Sequence, residues 1–133
     1  MADIRHYALD RINEVRRWHG LPPLHLHYEL SIGAKAHCEH SVDRVEDMVY
    51  AQRLEHTPNH LRTGFDAENV HAQIGNMHAN DFVNSGIDVW AKHEGHRNNM
   101  LSRNFTHTGI DIAMRDGPYG TKKFFMTARF CRR

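Results

Sequence analysis

Thirteen of the 133 residues are histidine, several times ordinary usage, and three short segments combine imidazoles with a carboxylate. They are Glu55-His56-Thr57-Pro58-Asn59-His60, Ala67-Glu68-Asn69-Val70, and the run from Trp90 through His93-Glu94-Gly95-His96-Arg97-Asn98-Asn99-Met100-Leu101. Imidazole nitrogens and a carboxylate are donors that a borderline cation such as zinc takes, and three protein ligands leave a fourth position for water or substrate. Two histidines and a glutamate also suffice for general acid–base work. Spacing alone does not separate such a site from chance, because most of the histidines must lie outside any one small centre. The zinc-protease helix spaces its histidines four apart on one face; His93 and His96 are three apart with Gly95 between them, so that motif is rejected. Glu68 also reads as a brace for a loop, and His96 as a helix-end histidine.

These residues must be positioned by helices and strands whose pattern is legible. Ile4, Ala8, Ile12 and Val15 form one apolar stripe, which predicts a helix over Ile4–Trp18. Gly20 and Pro22-Pro23 end it. Leu24 to Tyr28 alternates like a short extended segment. A second helix is predicted from Tyr28 or Glu29 towards Val49, with Leu30, Ala34, Cys38, Val42 and Val45 on one side. Residues 51–76 show no clear period and read mostly as loop with short pieces of structure. Asp81–Lys92 is a third helix, and Asn98–Leu101 one further helical turn. Thr108–Met114 and Phe124–Phe130 read as two strands around a turn at Arg115–Gly120, the second strand rich in buried aromatics. Helices first and a hairpin last imply an α+β domain with helices packed on a small antiparallel sheet.

Bulk composition bounds the function. The length suits a single domain over residues 1–133, and 40% apolar with 25% charged residues describes a soluble globular chain. No stretch approaches the roughly 18 apolar residues of a spanning helix. A formal net charge of +1 argues against a nucleic-acid partner, which needs a basic field. Arg129, Arg132 and Arg133 read as a solvated tail. Met1-Ala2-Asp3-Ile4-Arg5 has no apolar segment of the signal-peptide kind, which leaves open a cytoplasmic protein or a secreted one whose leader was removed. Cys38 and Cys131 are the only cysteines; without a CxxC pair there is no structural zinc knuckle, and a bridge or two buried thiols both remain open.

Taken in order, six motifs resemble the CAP superfamily of cysteine-rich secretory, antigen-5-like and pathogenesis-related proteins. Asn13 to Leu24 is similar to its entry helix and Gly-Leu-x-Pro-Leu turn, and Leu30 to His37 to its second helix. His56 resembles the histidine that follows that helix, and Ala67-Glu68-Asn69-Val70 the Gly-Glu-Asn-Ile/Leu signature. Trp90 with Gly95-His96-Arg97-Asn98-Asn99-Met100-Leu101 resembles the bacterial-type Trp…Gly-His-Arg-x-Asn-Ile-Leu. Phe105 to Ile110 resembles the strand that comes next. The likeness spans residues 8–131 and is closest to the bacterial-type branch. It implies an α-β-α sandwich, with a small central antiparallel sheet flanked by helices, and a cleft built from two His and two Glu. His56, Glu68 and His96 match that set, with His56 and His96 as metal ligands and Glu68 as a possible base. The second Glu does not carry over: its position holds His93, and Glu94, one step on, is a substitute.

The resemblance implies a secreted binding domain. Its cleft would take a divalent metal, zinc foremost, and a small ligand, a lipid or sterol, or a peptide. The alternative is a metal-dependent hydrolase with zinc-activated water and Glu68 as general base; no nucleophile or oxyanion motif such as GxSxG is present. An extracellular site also implies an oxidising compartment that would favour a Cys38–Cys131 bridge. The sequence leaves the oligomeric state open.

Overall fold

Asp3 opens the first helix by accepting a hydrogen bond from the Arg5 backbone N–H, satisfying one of the donors that a helix start leaves free. The computed structural model describes residues 3–133; Met1 and Ala2, part of the leader reading and of the single-domain expectation, lie outside the described residues. Helix α1 is Ile4–Trp18 and buries Ala8, Ile12 and Arg16. Gly20, with φ of +70°, takes the left-handed conformation that closes a helix. The short strand β1, His25–Leu26, leads into α2, Tyr28–Ser41, whose first turn is capped by the His27 ring accepting from Leu30 N–H.

The second helix is shorter than its periodicity predicts. It gives way to a single 3-10 turn at Val42–Arg44 and then α3, Val45–Ala51. Val42 and Val45 both stay buried, so the apolar spacing runs through the break and reads as one helix. Residues 51–76 are largely irregular, as expected, and their short pieces of structure are a 3-10 turn at Asn59–Leu61 and strand β2, Ala67–Gly75. Both faces of the strand are covered, and Glu68, Asn69 and His71 are all buried, so the strand shows no apolar alternation to find. Helix α4 is Ala79–Lys92 and α5 is Glu94–Leu101. Strands β3, His107–Asp116, and β4, Lys122–Cys131, form the predicted hairpin, longer at both ends.

The sheet order is β1-β3-β4-β2. β4 runs antiparallel to both neighbours along their lengths, and only the short β1 pairs in parallel, with His25 opposite His107. The fold is the expected α+β sandwich. Alternate residues of β4 serve the two faces. Phe124, Met126, Ala128 and Phe130 pack with Ile12, Phe82 and Trp90 on one side, while Phe125 packs with Cys38, Val42, Val45 and Met48 on the other. β2 is an edge strand.

The disulfide favoured by the family resemblance is not formed: Cys38 and Cys131 are both free and buried. The Cys38 thiol sits 3.2 Å from Thr127 Oγ1 and 3.3 Å from the Asp111 carbonyl. Cys131 lies four residues beyond Thr127 on β4, about 13 Å along an extended strand, whereas bridging needs Cα atoms within about 7 Å. Burial pushes the Cys38 thiol up to about 12, so it is an inert core group.

Two outcomes follow from the packing. A Cβ added at Gly109 would sit 2.2 Å from the Leu30 carbonyl carbon, where α2 backbone and not a flexible side chain is the obstacle. Gly109→Ala is expected to destabilise by at least about 2 kcal/mol, measured by denaturant unfolding. Alkylation of the native protein without reductant is expected to leave both thiols slow to react, and both fully reactive once it is unfolded.

Candidate functional site

Glu68 sits in the middle of the site with no exposed side-chain surface. Thr57 N–H donates to its Oε1 at 2.8 Å and Thr57 Oγ1 to its Oε2 at 2.6 Å. Arg129 Nε donates to Oε2 at 3.2 Å, and Arg62 Nη1 lies 3.6 Å from Oε1. His56 Nδ1 is 3.1 Å from Oε1. Burial alone would raise the Glu68 pKa, but the hydrogen bonds from His56 and Thr57 outweigh it and hold the carboxyl down at about 2. The group is therefore always ionised near neutrality and can only accept. The contact therefore has His56 Nδ1–H as the donor, the arrangement by which a carboxylate orients an imidazole and turns its Nε2 outward.

The second signature is tied to the first through buried amides. Asn69 Nδ2 donates to the His96 carbonyl at 3.0 Å, and Asn99 Nδ2 donates to Asn69 Oδ1 at 2.9 Å. Trp90 Nε1 donates to the Val70 carbonyl at 3.0 Å. From below, Arg16 Nη1 donates to the carbonyls of Met100 and Ser102 at the end of α5, where cationic groups suit the helix dipole. These bonds set α5 beside β2 through its backbone and leave the His96 ring free.

His56, Glu68, His93, Gly95, His96 and Asn99 line one cleft of about 440 Å³. The matched residues His56, Glu68 and His96 are thus brought together. Glu94 is not: it is exposed at the start of α5, and two residues along a helix it points about 200° away from His96. The imidazole of His93 takes that place. Its Nδ1 lies 2.7 Å from the Val89 carbonyl, which can only accept, so Nδ1–H is the donor and Nε2 stands outside that bond. The His96 Nδ1 is buried without a hydrogen-bond partner among the described residues. Burial, then the charges of His56 and His93, lower the His96 pKa, so the ring is neutral near pH 7. Among the described residues no group of three His, Cys, Asp or Glu side chains is placed to hold a metal ion. The cleft offers imidazoles from His56, His93 and His96, with Glu68 already saturated by its donors.

Arg132 and Arg133 are exposed beyond β4, as a solvated tail would be, but Arg129 is not part of that tail. It lies within β4, opposite Glu68 in the sheet register, and is buried. Thr57 and Arg129 carry no pattern of their own in the sequence. The Glu68–Arg129 pairing is visible only once β2 and β4 are recognised as partners.

The profile of the cysteine-rich secretory protein family, CAP, matches residues 9–130. No curated protein matches the sequence. Among solved structures, an extracellular SCP-domain protein from Bacillus anthracis str. Ames is 23% identical with a TM-score of 0.57, the match covering 97% of this chain and 40% of that one. An outer surface protein from Borrelia burgdorferi is 13% identical with a TM-score of 0.54, over 94% of this chain and 90% of that one. At these identities the likeness is one of fold. This chain spans 40% of the length of the Bacillus protein.

The charge state of Glu68 has a measurable consequence. Its folded-state pKa of about 2 lies below the ordinary value of 4.5, so the stabilisation is full above about pH 4.5 and is lost as pH falls from there through about 2. Its size is on the order of 3 kcal/mol. Glu68→Gln is expected to cost about 3–5 kcal/mol at pH 7, as breaking one partner of a buried pair does. The gap to the parent protein should close between pH 4.5 and 2. Denaturant unfolding across that range checks it; a gap independent of pH would show that the Glu68 charge contributes nothing.

Proposed function

The chain belongs to the cysteine-rich secretory protein family, and from that premise we propose that it is an extracellular binding domain whose cleft takes a divalent cation, zinc foremost, beside a small organic, lipid or peptidic ligand. The observation that carries this reading is the orphaned, buried Nδ1 of His96, a residue that lines the same cleft as His56. Neutral imidazole nitrogens without partners suit zinc, nickel or cobalt rather than calcium or magnesium, which take oxygen donors. His56 and His96 would hold the ion, His93 flanks them as a further donor, and Glu68 fixes the His56 ring without ligating. A bound cation would supply an anchor for an electron-rich group of the ligand. The cleft opens to solvent on the side where His56 is exposed, which leaves room for that ligand.

The state of Glu68 favours binding over hydrolysis. A general base works best with a pKa near the operating pH, and a carboxylate at about 2 with donors on both oxygens is a weak one. The extracellular placement is supported by the family and by the descriptions of the two structural neighbours as extracellular and outer-surface proteins. No helix among the described residues is long and apolar enough to cross a membrane.

Calorimetric titration with zinc tests the reading. Saturable binding is expected, weakened at least about tenfold in His56→Ala and in His96→Ala, and weakened in acid, because protons compete with the metal for imidazole nitrogens. Calcium should bind far more weakly. Unchanged zinc affinity in both folded variants would overturn the assignment.

A further inference from the structure

A second cavity, of about 360 Å³, opens between α2 and the segment after Thr57. It is lined by Gly33, Ala36, His37, His40, Thr57, Pro58, Leu61 and Arg129 and shares no lining residue with the histidine cleft. Its walls at Ala36, Pro58 and Leu61 are apolar, and its polar floor is the guanidinium of Arg129. Three sides of that guanidinium are already fixed. Nε donates to Glu68, Nη2 donates to Thr57 Oγ1 at 2.7 Å, and the plane lies over the Phe65 ring, 4.3 Å from its centroid. Nη1 has no acceptor among the described residues. It is turned towards Gly33, where an added Cβ would stand 2.2 Å from it. The absence of a side chain at Gly33 is what keeps this pinned donor open.

The charge at the floor is not balanced. Arg129 and Arg62 both face Glu68, at 3.2 and 3.6 Å, so two positive groups share one negative one. Of the other cations and acids near the cavity, Arg44 is paired with Glu55, and burial lowers the pKa of His37, whose Nε2 is bonded to the Glu55 carbonyl. A pre-oriented guanidinium N–H with net positive charge and apolar walls selects an anionic oxygen on a hydrocarbon body. We propose that this cavity binds a small carboxylate with a compact apolar body, its headgroup on Arg129 Nη1 and its hydrocarbon against Ala36, Pro58 and Leu61. The volume lies at the low end of ligand pockets, about 300–1,000 Å³, which limits the body to a short chain or a single ring.

Titration of the whole chain with hexanoate, and with hexan-1-ol as the uncharged control, tests the proposal. Hexanoate is expected to bind saturably and hexan-1-ol at least about tenfold more weakly, the margin of one charge-assisted hydrogen bond. Backbone amide shifts should change around Gly33, Ala36, His40 and Leu61. Ala36 is exposed on α2, so Ala36→Glu keeps the fold while placing a negative charge at the rim; it should weaken hexanoate about tenfold and leave the melting temperature unchanged. Gly33→Ala should weaken it by displacing Nη1, and if that variant does not fold, Ala36→Glu decides alone. Equal affinity for acid and alcohol, no saturable binding, shifts centred on residues 93–99, or full affinity in Ala36→Glu would each overturn the proposal.

Discussion

A carboxylate removed from water costs several kcal/mol unless charged and polar partners surround it, and Glu68 imposes that demand on an edge strand. Much of the surrounding architecture answers it. The segment after α3 folds back so that Thr57 supplies both its N–H and its hydroxyl. β4 places Arg129 directly across the sheet. Phe65 covers one face of that guanidinium, and Gly33 makes room for its outer nitrogen. None of these residues would be needed in its place if position 68 were apolar. The same ring of donors also settles the tautomer of His56, so one electrostatic requirement fixes a structural anchor and the chemistry of its neighbour together.

A second set of polar contacts works through the backbone. Asn13 exchanges two hydrogen bonds with Leu24, through the Leu24 carbonyl and the Leu24 N–H. Arg16 bonds Pro22, Met100 and Ser102. Together they hold the turn after α1 against the end of α5. Asn69 and Asn99 then fix α5 against β2. Because carbonyls and amides carry the load, the imidazole of His96 is positioned without using its own nitrogens. Satisfying buried backbone groups with side chains of this kind is costly to disrupt, which accounts for polar residues in what is otherwise core.

What could be read in the sequence was what depends on periodicity or local chemistry. α1, α4 and the β3–β4 hairpin follow from apolar spacing and turn residues, and the Phe124, Phe125 and Phe130 side chains are core as their composition implies. His56, Glu68 and His96 were found through ordered motifs, not through spacing. β2 was hidden because one of its two buried faces carries Glu68 and the other Asn69 and His71; all three look like loop residues until their partners are known. Arg129 was misread for the same reason, since a basic residue near a terminus is usually solvated. The thiols defeated inference differently. Cys38 lies on the expected apolar stripe, but the bridge depends on how far along β4 that stripe meets the sheet, and helix periodicity carries no information about that register.

The two faces of the Glu68 network have opposite chemical demands. On the cleft side, Glu68 has no lone pair to spare, and His56, His93 and His96 bring imidazoles to it. Burial, then the neighbouring imidazoles, lower the His96 pKa, so that ring keeps its lone pair near neutrality. On the α2 side the arrangement inverts: the network ends in an N–H of Arg129 without an acceptor and with positive charge in excess, above apolar walls. Had Arg129 been lysine, its compact ammonium would lack the planar fork that bonds Glu68 and Thr57 while keeping a third nitrogen aimed elsewhere. The planar guanidinium lets one buried ion pair terminate in lone pairs on one side of the sheet edge and in a donor on the other.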